Sequence, residues 1–119
     1  MKIAASPSAS DLVNIAAPLA RMAESQPQTL AIAQPFGRDR HGRIRYRHYT
    51  YRELNADSDA LARGFERIGI RRGVRTVLMV TPSLEFFALT FALFKVGAVI
   101  VLIDPGMGTK NLGVCLVEA

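Results

Sequence analysis

The chain has 119 residues, half of them apolar, a formal net charge of +5 and one cysteine. That length allows one domain at most, and that apolar share suits a packed core, which excludes a disordered chain. The lone Cys115 excludes an internal disulfide and a thiolate metal cluster, and the opening MKIAASPSASD lacks the apolar run of a secretory signal, so a reducing cytoplasm is the expected setting.

Residues 1–13 are small and polar and read as a flexible tail. Asn14 can cap a helix over 15–25 with Ile15, Leu19 and Met22 on one face, Pro18 in the first turn and Pro27 as its stop. Leu30 to Phe36 and Ile44 to Tyr49 then read as two strands of a hairpin around the polar turn GRDRHG. The second strand alternates Ile44, Tyr46 and His48 against Arg45, Arg47 and Tyr49, the period of a sheet with one wet face.

Thr50-Tyr51-Arg52-Glu53 is a capping box, in which the Thr50 hydroxyl takes the Glu53 amide and Glu53 reaches back, with Tyr49 and Leu54 at the staple positions. It opens a helix over 51–68 whose buried stripe, Leu54, Leu61, Phe65 and Ile68, is broken by Ser58. Gly69 supplies a left-handed stop. Val74 to Val80 reads as a buried strand, Thr81-Pro82 as the start of an apolar helix over 82–96, Gly97 as its end, and Ala98 to Ile103 as a second buried strand. A crossover of this length between apolar strands implies parallel pairing. After Asp104-Pro105-Gly106 a last helix is expected, with Leu112, Cys115 and Leu116 facing inward.

Two features invite other readings. Eleven arginines against five acids lie between Arg38 and Arg75; this suits a solvated hairpin and helix face, the alternative being a small basic module that uses the Arg38–Arg52 hairpin on nucleic acid or anionic surfaces. Phe86 to Ile103 is eighteen residues with Lys95 as its only charge, at the lower limit for a membrane span. Gly97 divides that run into a helix-like and a β-branched half, and Lys95 would sit mid-bilayer, so a buried helix followed by a buried strand is the preferred reading.

Candidates for chemistry are few. Gly106-Met107-Gly108 has the setting of a dinucleotide fingerprint but Asn111 stands in place of the third glycine, so it reads as a tight turn that needs glycine for backbone reasons. His41 and His48 have no further ligands at metal spacing. Asp104, at a strand's carboxyl end, reads as a cap for the following turn, and Ser83 lacks the glycine elbow of a nucleophile. No catalytic, cofactor-binding or metal-ligating residue is assigned.

Tyr49-Thr50-Tyr51-Arg52-Glu53-Leu54, Ala60-Leu61-Ala62, Gly69-Ile70-Arg71-Arg72-Gly73-Val74 and Pro82-Ser83-Leu84-Glu85-Phe86 closely resemble the opening of the AMP-forming adenylating enzymes. That superfamily holds acyl-CoA synthetases, luciferases and peptide-synthetase adenylation domains. Lys95-Val96-Gly97-Ala98-Val99 and Leu102-Ile103-Asp104-Pro105 resemble its Lys-x-Gly-Ala-x-x-x-Pro-x-x-Pro segment, with Leu102 near the first proline's place. The ending Asp-Pro-Gly-Met-Gly-x-Lys-Asn resembles the β-lactone synthetase branch tied to bacterial long-chain olefin biosynthesis.

The resemblance implies an α/β fold: the N-terminal part of an adenylate-forming enzyme's large domain, with a parallel βαβ unit preceded by a helix and a β-hairpin. Residues 14–119 would then be an incomplete N-terminal subdomain of an AMP-binding domain. It also implies a parent ligase in which a carboxylate attacks the α-phosphate of ATP with Mg²⁺ present. The acyl-adenylate would pass to the substrate's own 3-hydroxyl in the β-lactone branch, or to a thiol in the acyl-CoA branch. The implied substrate is a long-chain acyl or 3-hydroxy acid. The family's phosphate loop, ribose acid and mobile lysine would lie beyond residue 119, so the chain is expected to be inactive alone and to hold neither ATP nor Mg²⁺ itself. Expected too are no specific nucleic-acid partner, no membrane span, and self-association through exposed apolar strands.

Overall fold

The computed structural model describes residues 14–119, and the expected tail over 1–13 lies outside them. The elements run α1 (Ala17–Ser25), β1 (Leu30–Arg38), β2 (Ile44–Thr50), α2 (Tyr51–Arg67), β3 (Arg75–Leu78), α3 (Leu84–Val96), β4 (Val99–Leu102) and α4 (Thr109–Glu118). Strands β1 and β2 form an antiparallel hairpin. Strands β3 and β4 pair in parallel, Arg75 opposite Val99 through Leu78 opposite Leu102. The eighteen-residue apolar run is thus divided as its composition suggests: α3 ends at Val96, Gly97 turns the chain at φ 77°, and β4 follows. Among the described residues no helix is long and apolar enough to cross a membrane.

Helix α2 begins on the capping box read from Thr50 and Glu53: the Glu53 amide donates to the Thr50 hydroxyl at 3.2 Å and the Thr50 amide to the Glu53 carboxylate at 3.4 Å. Such a cap stabilises a helix by about 1 kcal/mol. Its inner face meets α3 over small residues. Ala88 and Ala92 of α3 are buried with Leu54 and Ala62 of α2, which lets the two backbones approach closely. Leu84, Leu93 and Val96 complete the buried side of α3, each stabilising the fold by roughly 1.5–3 kcal/mol relative to exposure. Helix α1 and the hairpin close one end of this core through Leu19, Ala31, Ile32 and Tyr49.

Several boundaries and faces differ from the sequence reading. Helix α1 starts at Ala17, with Ala16 at the cap position and no side-chain cap. Asn14 instead accepts the Ala16 amide at 2.8 Å and donates its own amide to the Phe94 carbonyl at 2.9 Å, so it is turned toward the end of α3 and Ile15 is left 64 % exposed. Helix α3 starts at Leu84 rather than at Pro82. The Ser83 hydroxyl caps it by taking the Phe86 amide, and the Gln34 side chain of β1 adds a second acceptor, taking the Leu84 amide at 3.0 Å. Ile68 falls past the last turn of α2 and is exposed.

The parallel strands are shorter than expected and are not covered on both faces: Val77, Val99 and Leu102 are exposed. Helix α4 has no buried residue; Leu112 and Cys115 are half-buried, while Leu116 is exposed together with Val114 and Val117. Among the described residues no further layer packs on these apolar side chains.

Candidate functional site

In an open α/β sheet, ligand crevices form outside the carboxyl ends of parallel strands. Two segments meet that edge here: 79–83 after β3 and 103–108 after β4. Ser83 adopts an extended backbone (φ −163°) and its hydroxyl caps α3 by accepting from the Phe86 amide at 3.1 Å. Asp104 caps the next turn, as expected: its carboxylate accepts the Gly106 amide at 2.8 Å and its carbonyl accepts the Met107 amide at 3.1 Å. Gly106 lies in the expected turn and Gly108 at the start of α4, but neither has a positive φ, so the backbone reason expected for glycine is absent; a Cβ at Gly106 would come within 3.3 Å of the Asp104 carboxylate, which would have to shift slightly. The Gly106 and Met107 amides are thus both engaged by Asp104, while α4, which begins at Thr109, has no side-chain cap.

The titratable groups read from the sequence are kept apart. His41 lies at the hairpin tip, where the Arg40 guanidinium donates to its ring at 3.2 Å, and His48 lies on the outward face of β2. Cys115 is on α4. Among the described residues, no three His, Cys, Asp or Glu side chains gather as a metal site.

The polar groups that the fold does bring together tie its elements to one another. Lys95, in the last turn of α3, places its ammonium 2.6 Å from the Asp59 carboxylate, 2.7 Å from the Ser58 hydroxyl, and 2.8 and 3.1 Å from the side-chain and backbone oxygens of Asn55. Three N–H groups are thus shared among four oxygens of α2. Ser58, the polar break in the stripe of α2, is fully buried and also donates to the Asn55 carbonyl. Two irregularities, a serine in one apolar pattern and a lysine in another, therefore satisfy each other.

A second cluster joins β2 to both long helices. The Tyr49 hydroxyl donates to the Asp57 carboxylate on α2, and the Arg47 guanidinium meets the Glu85 carboxylate on α3 at 2.6 Å. Burial, then the bond to Asp57 and the charges of Asp57 and Glu85, push the Tyr49 hydroxyl up from 10.0 to about 12. The bond from Arg47 holds the Glu85 carboxyl below its usual range. Sequence reading placed Tyr49 as a staple, and it does pack on the core, but neither pairing is visible in spacing. The arginines of the hairpin are likewise engaged within the chain: Arg38 donates to the Gly42 carbonyl at 2.7 Å, Arg43 pairs with Asp39 at 3.2 Å, and Arg45 lies over the Phe36 ring at 4.7 Å. The arrangement orients strands and helices; among the described residues it brings no acid, base or nucleophile onto a shared reacting point.

A family model described as AMP-binding enzyme matches residues 19–119. The olefin β-lactone synthetase of Xanthomonas campestris pv. campestris is 53 % identical over 109 residues, which cover 91 % of this chain and 20 % of that protein. The olefin β-lactone synthetase of Stenotrophomonas maltophilia is 51 % identical over 108 residues, 89 % of this chain and 20 % of that protein. The chain thus spans about a fifth of the length of these curated relatives. Among solved structures, the N-terminal subdomain of Klebsiella oxytoca NpsA superposes with a TM-score of 0.75 at 24 % identity, over 89 % of this chain and 25 % of that one. This likeness bears out the expected fold, an α/β arrangement with an antiparallel hairpin and a parallel strand pair. The chain belongs to the AMP-binding enzyme family.

Proposed function

We propose that residues 14–119 form the leading part of the large domain of a longer AMP-forming ligase, and that the whole protein activates a carboxylic acid as its acyl-adenylate with ATP and Mg²⁺. The substrate proposed is a long-chain 3-hydroxy acid, whose own 3-hydroxyl displaces AMP to close a β-lactone. The observation that carries this reading is the identity of 53 % across nine-tenths of the chain to one olefin β-lactone synthetase, repeated at 51 % in a second. No residue of this chain is given a catalytic role. Its part is scaffolding: Lys95 and Tyr49 hold α3 and the hairpin against α2, which sets the carboxyl edge of β3 and β4 where the remaining machinery would stand.

The test is a graft. The matching fifth of the Xanthomonas synthetase is replaced by this chain, and ATP-dependent conversion of a long-chain 3-hydroxy acid is followed by pyrophosphate release and by lactone formation. Retained lactone formation supports the proposal; a folded graft that adenylates no 3-hydroxy acid overturns it. The 119-residue chain alone is expected to show no ATP–pyrophosphate exchange.

A further inference from the structure

The hairpin faces the body of the protein with an unexpected side. Ile32 pairs with Tyr49 and Gln34 with Arg47, and this face looks inward: Gln34 caps α3, Arg47 meets Glu85, and Ile32 and Tyr49 pack on the core. Ala33 pairs with His48 and Pro35 with Tyr46, so these residues lie on the opposite, outward face. Ile44, two residues before Tyr46, belongs to the same face; Ile44 is 47 % and Tyr46 49 % exposed. The less polar of the two alternating sets is therefore the one in water.

Charge is concentrated on the same ribbon. Residues 30–50 hold five arginines and one acid, Asp39, and so carry four of the chain's five net positive charges. Arg38, Arg40 and Arg43 gather at the tip, where the Arg43 side chain is 76 % exposed despite its pairing with Asp39. An apolar, aromatic face ending in a cationic tip has the chemistry of an interfacial anchor: the arginines meet anionic headgroups while a tyrosine and an aliphatic side chain enter the boundary beneath them. A nucleic-acid surface would instead ask for cations along the ribbon to follow the backbone, and Arg45 and Arg47 are turned to Phe36 and Glu85.

We infer that the outward face of β1–β2, with its arginine tip, docks reversibly on anionic lipid surfaces. This does not depend on the ligase reading, since it is measured by vesicle binding and not by activity. The test is co-sedimentation of the 119-residue chain, and of the same residues grafted into the Xanthomonas synthetase, with phosphatidylglycerol–phosphatidylcholine vesicles and with phosphatidylcholine alone. Binding is expected to the anionic vesicles only and to weaken as salt rises. The triple variant R38A/R40A/R43A should bind on the order of 100-fold more weakly, R38K/R40K/R43K should retain binding, and I44S/Y46S should weaken it about tenfold with the secondary structure unchanged. Equal binding to neutral vesicles, no loss in the alanine triple, or binding to RNA or duplex DNA but not to vesicles would each overturn the inference.

Discussion

Replacing Lys95 by methionine removes one ammonium from the contact between α2 and α3 and leaves the volume of the side chain nearly unchanged, so the cavity contribution is small. The Lys95 side chain is 15 % exposed, and Asp59 opposite it is 48 % exposed. Stripping one partner from a fully buried ion pair costs about 3–5 kcal/mol. That ceiling does not apply here, because Asp59 can rehydrate and Ser58 keeps its bond to the Asn55 carbonyl. What is lost is a set of hydrogen bonds to a charged donor, whose net contribution is about 1.5–3 kcal/mol. We therefore expect Lys95→Met to lower the opening free energy of α2 and α3 by about 2 kcal/mol, which makes the exchange of their protected amides about 30-fold faster. Asp59→Asn, which keeps an acceptor near Lys95, should cost no more than about 0.5 kcal/mol. The assay is amide hydrogen exchange read by mass spectrometry at low protein concentration. Exchange in α2 and α3 less than threefold faster in Lys95→Met, or equal effects of the two substitutions, would refute the claim that this ammonium locks the two helices together.

Four further outcomes are expected. Gly97→Ala should cost more than Gly69→Ala in urea unfolding: both have positive φ, with a backbone cost of about 1–2 kcal/mol, but a Cβ at Gly97 would also come within 3.2 Å of the Arg72 side chain while Gly69 has open space. With Tyr49 raised to about 12 from 10.0, the stability its hydroxyl contributes is present below pH 10 and is lost as pH climbs toward 12; the advantage of the native chain over Tyr49→Phe should shrink across that window, and an ultraviolet titration of the native chain should show a late tyrosine that the variant lacks. For Glu85, whose carboxyl is held low by Arg47, stability is present above the usual carboxylate range and falls as pH drops through the lowered value, so Arg47→Ala should flatten the acid limb of stability. Finally, the exposed Val77, Val99, Leu102 and Val117 should make the 119-residue chain self-associate in light scattering; a sharp, concentration-independent monomeric melt would contradict this.

Local signals were the legible part of this sequence. The capping box at Thr50, the stop at Gly97 and the change of character across it act within a few residues of themselves, and each appears in the structure as read. Features set by distant partners were not legible. Asn14 looks like a cap, yet the carbonyls at the end of α3 claim its amide. Thr81-Pro82 looks like a helix start, yet the cap falls on Ser83, with the Leu84 amide held by Gln34 fifty residues earlier. Ser58 and Lys95 each look like a flaw in an apolar pattern and explain each other only in space. The outward faces of β4 and α4 read as interior because their residues suit an interior, and periodicity does not reveal whether a covering layer is there.

Strands β3 and β4 lie parallel, bridged by α3, and the whole reading of this chain rests on that pairing. Cross-strand contacts in the labelled chain, measured by nuclear magnetic resonance, test it most directly. Parallel pairing predicts the Val99 and Ile103 amides protected, bonded to the Val74 and Leu78 carbonyls, with Thr76 beside Ile100 and Val77 beside Val101. Contacts that instead place Arg75 beside Leu102 and Leu78 beside Val99 would mean an antiparallel pair, and would contradict both the fold and the role built on it.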